Sequence, residues 1–114
     1  MSKISLANTT SCYYEDLAFE IIKQALADLQ RSKKIITNMD SKIRSLEEQL
    51  IAAIEVEKEE SLHTSLKRAR LIRRNAVELK NEVARFFRGS WFESLAILAG
   101  INHETIRNRL KKED

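Results

Sequence analysis

The chain contains no proline, and its two glycines sit at positions 89 and 100. These residue types are the main interrupters of helices, so nothing before Gly89 forces the backbone out of one. Charged residues make up 32% of the 114 and aromatic residues 6%, a balance suited to long amphipathic helices rather than sheets. The length is that of one domain, with no room for two independent cores. The expected fold class is all-α: an N-terminal helix, then a long helix or helical hairpin of coiled-coil type, then two short helices.

Apolar periodicity places the elements. Residues 1–12 hold no apolar core segment and read as a loose tail rather than a secretory signal. Ser11 is a good cap type for a helix over 13–34, with Glu15 and Asp16 in its first turn and Arg31, Lys33 and Lys34 in its last, as the helix dipole favours. Leu17, Ala18, Ile21, Ile22, Ala25 and Leu29 share one face of it. The polar cluster Thr37-Asn38-Met39-Asp40-Ser41 predicts a turn, with Asn38 or Asp40 capping the next helix.

From Ser41 onward Ile43, Leu46, Leu50, Ile54, Leu62, Leu66, Ile72 and Leu79 form a coiled-coil-like seam. The seam predicts self-association, and residues 13–88 read as an oligomerisation region. Charge along it is segregated. Residues 40–60 carry three basic against seven acidic residues, and 61–88 carry eight basic against two acidic. A single helix over 41–86, roughly 70 Å at 1.5 Å per residue, could pair the two blocks in an antiparallel homodimer. A hairpin turning near Glu59 to Ser61 would pair them within one chain, with Ile54 facing Leu66 and Leu50 facing Ala69. Local propensity favours the unbroken helix, since the Glu57-Lys58-Glu59-Glu60 run consists of good helix formers.

Residues 89–114 carry the most specific pattern. Gly89 is placed to end the long helix in a left-handed conformation. Ser90 and Glu93 have capping-box spacing, and Phe86, Phe87, Trp91 and Phe92 form the expected core of the junction. Ala96 is small enough for a second helix to cross closely. Gly100 follows four residues later, where a turn needs positive φ, and Ile101 can plug the core. A second helix over 103–111, capped by Asn102, packs back through Ile106.

The stretch 91–110 resembles the helix-turn-helix family; Arg109 departs from its pattern, and Leu110 can take the inward place. The resemblance implies that the second helix enters the major groove of double-stranded DNA, with His103, Thr105, Arg107, Asn108 and Lys111 as base-edge candidates. Arg73, Arg74, Arg85 and Arg88 would then contact phosphate, which positions without specifying sequence. Residues 18–29 (AFEIIKQALADL) and 84–110 (ARFFRGSWFESLAILAGINHETIRNRL) together resemble small uncharacterised helical proteins of bacteriophages and prophages. That resemblance implies a mobile-element origin and an extra helical arm over 35–80, and carries no activity with it.

Other chemistry is not called for. His63, His103 and Cys12 lack metal-ligand spacing, no glycine-rich loop or paired carboxylates point to an enzyme, and no cofactor is expected. A lone cysteine fits a reducing, cytoplasmic setting, and no apolar run approaches the ~20 residues of a membrane span. The expected function is DNA binding by an oligomer. The alternatives are a DNA-packaging recognition subunit resembling small terminases, and a helical adaptor or inhibitor that binds a protein partner.

Overall fold

A computed structural model describes residues 2–53 and 55–113, with side chains from Tyr13 onward. Four helices account for them: α1 (Ser2–Ala52), α2 (Val56–Arg88), α3 (Ser90–Ala99) and α4 (His103–Glu113). No strand occurs among the described residues. Two compact units form: residues 28–81, and residues 1–27 together with 82–114. This partition differs from the tail, 13–88 and 89–114 division drawn from the sequence. The first and last stretches of the chain share one unit, and the middle makes the other.

The middle unit is a helical hairpin. Leu46, Leu62, Leu66 and Ala69 are buried together, with Met39, Ile43, Leu50 and Ala53 packed on them. Two ion pairs set the direction: Asp40 pairs with Arg73, and Glu47 with Arg70. As the α1 partner advances from Asp40 to Glu47, the α2 partner retreats from Arg73 to Arg70, so the two helices run antiparallel. Burying a leucine fully is worth roughly 1.5–3 kcal/mol. The seam therefore closes within one chain, and its burial does not require a second copy. Ile72 lies outside it, 40% exposed; Leu79 is half-buried; and Ile54 falls outside the described residues.

Three expectations about the helices are corrected. α1 begins at Ser2, ahead of the tail boundary and the Ser11 cap, and it does not end at residue 34. No turn forms at 37–41. There Thr37 Oγ1 donates to the carbonyl of Lys33 at 3.1 Å, so its hydroxyl is satisfied by its own helix rather than by capping a new one. α1 ends at Ala52 and α2 starts at Val56, so helix runs on through Glu59 to Ser61 where a turn was expected, and the single long helix over 41–86 is not formed. Ala53 N–H closes onto Leu50 O at 3.2 Å. Glu57 and Glu59 then occupy the first turn of α2 and Arg85 and Arg88 its last, as the helix dipole favours.

The other unit gathers the described part of α1 up to Ala27, the last turns of α2, α3 and α4. Its buried side chains are Ala18, Ile22, Val83, Phe87, Phe92, Leu95 and Ala96. Phe86, Phe87 and Phe92 pack edge to face or tilted, with centroids 4.9–5.7 Å apart, the arrangement aromatic quadrupoles favour. Trp91 does not join them; it is 63% exposed. The aromatic core has three members rather than four.

Candidate nucleic-acid interface

The turn between α3 and α4 is built as its residues dictate. Gly100 takes φ 72 and ψ 28, a left-handed conformation that side chains with a Cβ resist. Its amide turns back to the carbonyls of Ala96 and Ile97, and Ile101 N–H bonds to Ala96 O at 2.8 Å. Asn102 Oδ1 then accepts the amides of Glu104 at 2.9 Å and Thr105 at 3.3 Å, capping α4. Ala96 is wholly buried, and Ile101, Ile106 and Leu110 are half-buried. Arg109 points outward, 83% exposed, and lies 3.8 Å from Glu113.

The junction between α2 and α3 is built differently from the sequence expectation. Gly89 has φ −88 and ψ 166, an extended conformation open to any residue, and it precedes α3 as its cap position. Ser90 and Glu93 make no capping box, and α3 has no side-chain cap. The Glu93 carboxylate instead accepts from Arg107 Nη1 at 2.8 Å. With Gly89 at the cap position, Ser90 and Glu93 each stand one residue past the places a capping box requires, and the carboxylate is left for a charge-assisted bond to the guanidinium.

Arg107 is the centre of the arrangement. Its Nε donates to Phe87 O at 2.7 Å and its Nη2 to Gly89 O at 3.2 Å. The Phe87 carbonyl lies in the last turn of α2, where helix acceptors lack intrahelical partners, and Gly89 holds the cap position of α3. The guanidinium also lies 5.5 Å from the centroid of Phe92, within cation–π range. One side chain thus ties α2, α3 and α4 together. Its hydrogen bond and charge hold the Glu93 carboxyl below its ordinary value, and the charge of His103 acts in the same direction. His103 is half-buried, and its Nδ1 has no hydrogen-bond partner among the described residues.

The sequence candidates therefore separate. Thr105, Asn108 and Lys111 are exposed along one side of α4, beside Arg109 and Lys112. Arg107 and His103 face inward. Arg85 and Arg88 are exposed in the same unit, with Arg88 Nε also donating to Ala84 O at 3.3 Å. Arg73 and Arg74 belong to the other unit; Arg73 is paired with Asp40, and Arg74 is exposed. Reading along the chain missed the Glu93–Arg107 pair, because fourteen positions and a turn separate the two residues. Among the described residues no three His, Cys, Asp or Glu side chains converge as a metal site, and no helix is long and apolar enough to cross a membrane. Comparison of the chain with family models, curated proteins and solved structures returns no match.

Proposed function

We propose that the chain binds double-stranded DNA through the outward side of α4, as a helix-turn-helix unit does. The observation that carries this reading is the two-sidedness of α4. Its inner side is fixed to α2 and α3 by Arg107, while Thr105, Asn108, Arg109, Lys111 and Lys112 stay exposed. An anchored helix with a bare polar side presents donors at a defined angle, which groove reading requires. Asn108 suits the paired acceptor and donor of an adenine edge. Lys111, Lys112 and Arg109 supply the charge that phosphate binding draws on. Arg107 leaves the base-reading set, because three of its donors are committed within the fold.

The mobile-element origin is part of the same proposal. The two segments resembling phage and prophage proteins fall, but for Asp28 and Leu29, in one compact unit, and the hairpin between them forms the other.

The test is a mobility shift on random-sequence duplexes across a salt series. Binding at low salt that weakens steeply as salt rises is expected. Asn108→Ala with Lys111→Ala should lower affinity roughly tenfold or more without loss of helicity, since one good base contact is worth about 1–3 kcal/mol. No shift at low salt would end the reading.

One observation favours a second reading, contact with another protein. α3 leaves Trp91 63%, Ile97 73% and Leu98 47% exposed, a high apolar load for the surface of a ten-residue helix. A chain that ignores duplex DNA yet loses solvent access to Trp91 when another protein is added would be such an adaptor.

A further inference from the structure

We infer that the hairpin arm carries a second anion-binding surface, the outward stripe of α2 around Lys67, Arg68 and Arg74, and that its ligand is the phosphate backbone of a nucleic acid. The basic run of α2 is divided by the fold. Arg70 and Arg73 turn to α1 and pair with Glu47 and Asp40. Lys67, Arg68 and Arg74 are exposed, and no carboxylate lies within ion-pair distance of them among the described residues. The acidic arm thus neutralises only part of the run.

The surplus is arranged along the helix. Lys67 and Arg74 are two turns apart, roughly 10 Å at 1.5 Å per residue, with Leu71 between them on the same side. Lys67, Arg68, Leu71 and Arg74 line one shallow, open depression together with His63, Thr64, the buried Leu66 and the paired Arg70. This surface belongs to the unit formed by residues 28–81 and α4 to the other, so the inference does not rest on the α4 reading.

The lining also narrows the ligand. A partner helix lying in a groove needs apolar anchors at i, i+3 or i+4, and i+7. Here Leu71 is 47% and Ile72 40% exposed, adjacent positions that do not give that spacing. Affinity for a charged ligand would draw on Lys67, Arg68 and Arg74, the cations left exposed. A continuous polyanion supplies that through release of its condensed counterions, whereas isolated surface ion pairs with a peptide contribute little each.

The experiment measures binding of the full chain to a random-sequence duplex at several salt concentrations. It compares wild type, a Lys67→Ala/Arg68→Ala/Arg74→Ala variant and the Asn108→Ala/Lys111→Ala variant, with circular dichroism confirming equal helicity. Each lost phosphate contact reduces the log–log salt slope by about 0.9, so the stripe variant should be shallower by about two to three and weaker on every sequence. A Lys67→Arg/Arg68→Lys/Arg74→Lys variant, which keeps the charges, should retain the wild-type slope. If the stripe variant changes the slope while the α4 variant binds as wild type, this surface stands and the α4 reading falls. An unchanged slope in the stripe variant overturns the inference, as does absence of duplex binding by wild type at low salt. Loss of binding to phosphatidylserine vesicles without loss of duplex binding in the stripe variant also overturns it.

Discussion

Arg107 Nη1 lies 2.8 Å from Glu93 Oε1, an ion pair that joins α4 to α3 while the same guanidinium holds the carbonyl of Phe87 in α2 and that of Gly89 at the start of α3. Arg107 is 24% exposed at its side chain and Glu93 42%, so water reaches the pair without replacing its geometry. Arg107→Ala leaves the Phe87 and Gly89 carbonyls and the Glu93 carboxylate without this partner. A loss of about 1.5–3 kcal/mol is expected, the range for hydrogen bonds to charged groups, read as a lower melting temperature. Arg107→Lys keeps the charge but lacks the planar fork, and should recover only part of it. A residue acting solely in recognition would leave the melting temperature unchanged.

The same pair sets a dependence on pH. Arg107 first by its hydrogen bond and then by its charge, with His103 adding to it, lowers the Glu93 carboxyl below its ordinary value. In the unfolded chain that carboxyl holds its proton to higher pH than in the folded one. The unfolded state therefore binds more protons in this window, and stability rises with pH there. The contribution is fully present above the unfolded value and disappears as pH falls through the lowered folded value. Glu93→Gln should be less stable than wild type at pH 7, with the gap closing on acidification below about 4.5. Thermal melts of both proteins from pH 7 to pH 3 measure it, and parallel curves would show that Glu93 gains nothing from its partners.

Adjacent aromatics on α3 should behave oppositely. Phe92 is wholly buried and packs against Phe86 and Phe87, so Phe92→Ala removes a ring from a closed core at a cost of about 3–5 kcal/mol. Trp91, 63% exposed, can lose its indole within about 0.5 kcal/mol, as surface positions usually do. Chemical denaturation of the two variants checks this directly. A large loss in Trp91→Ala would place its indole in packing that the single chain does not show.

The reach of the sequence is clearest where spacing and local chemistry agree. Gly100, Ala96 and Asn102 each take the role their type dictates, because a positive φ, a close crossing and a cap are demands on one residue at a time. The hairpin was harder. Ala18, Ile22, Ala25, Leu29, Ser32, Ile36, Met39, Ile43, Leu46 and Leu50 step by alternating fours and threes, an unbroken ladder that runs straight through the polar cluster at 37–41. That phase was the signal to carry α1 past the expected turn. The ladder is lost after Leu50 and resumes at Leu62, twelve positions on, which alternating steps from Leu50 do not reach. The phase slip marks the bend that no glycine or proline announces. The inward placement of Arg107 is illegible for a different reason. Its partners come from α2 and α3, and no pattern along α4 distinguishes an arginine facing a groove from one facing two carbonyls.

Closure of the seam within one chain has a measurable consequence of its own. Leu66, 4% exposed, sits inside the cluster with Leu46, Leu62 and Ala69. Leu66→Ala should cost about 2–5 kcal/mol, by lost transfer energy and by the cavity left between the helices. If the two arms belong to one molecule, the unfolding equilibrium contains no association step. The melting temperatures of wild type and Leu66→Ala should then stay fixed over a hundredfold range of protein concentration. An antiparallel homodimer using the same contacts would melt at a temperature that climbs with concentration, because folding and assembly are then linked by mass action. A concentration-dependent midpoint would return the seam to an interface between copies, with Leu46, Leu62 and Leu66 shared across it.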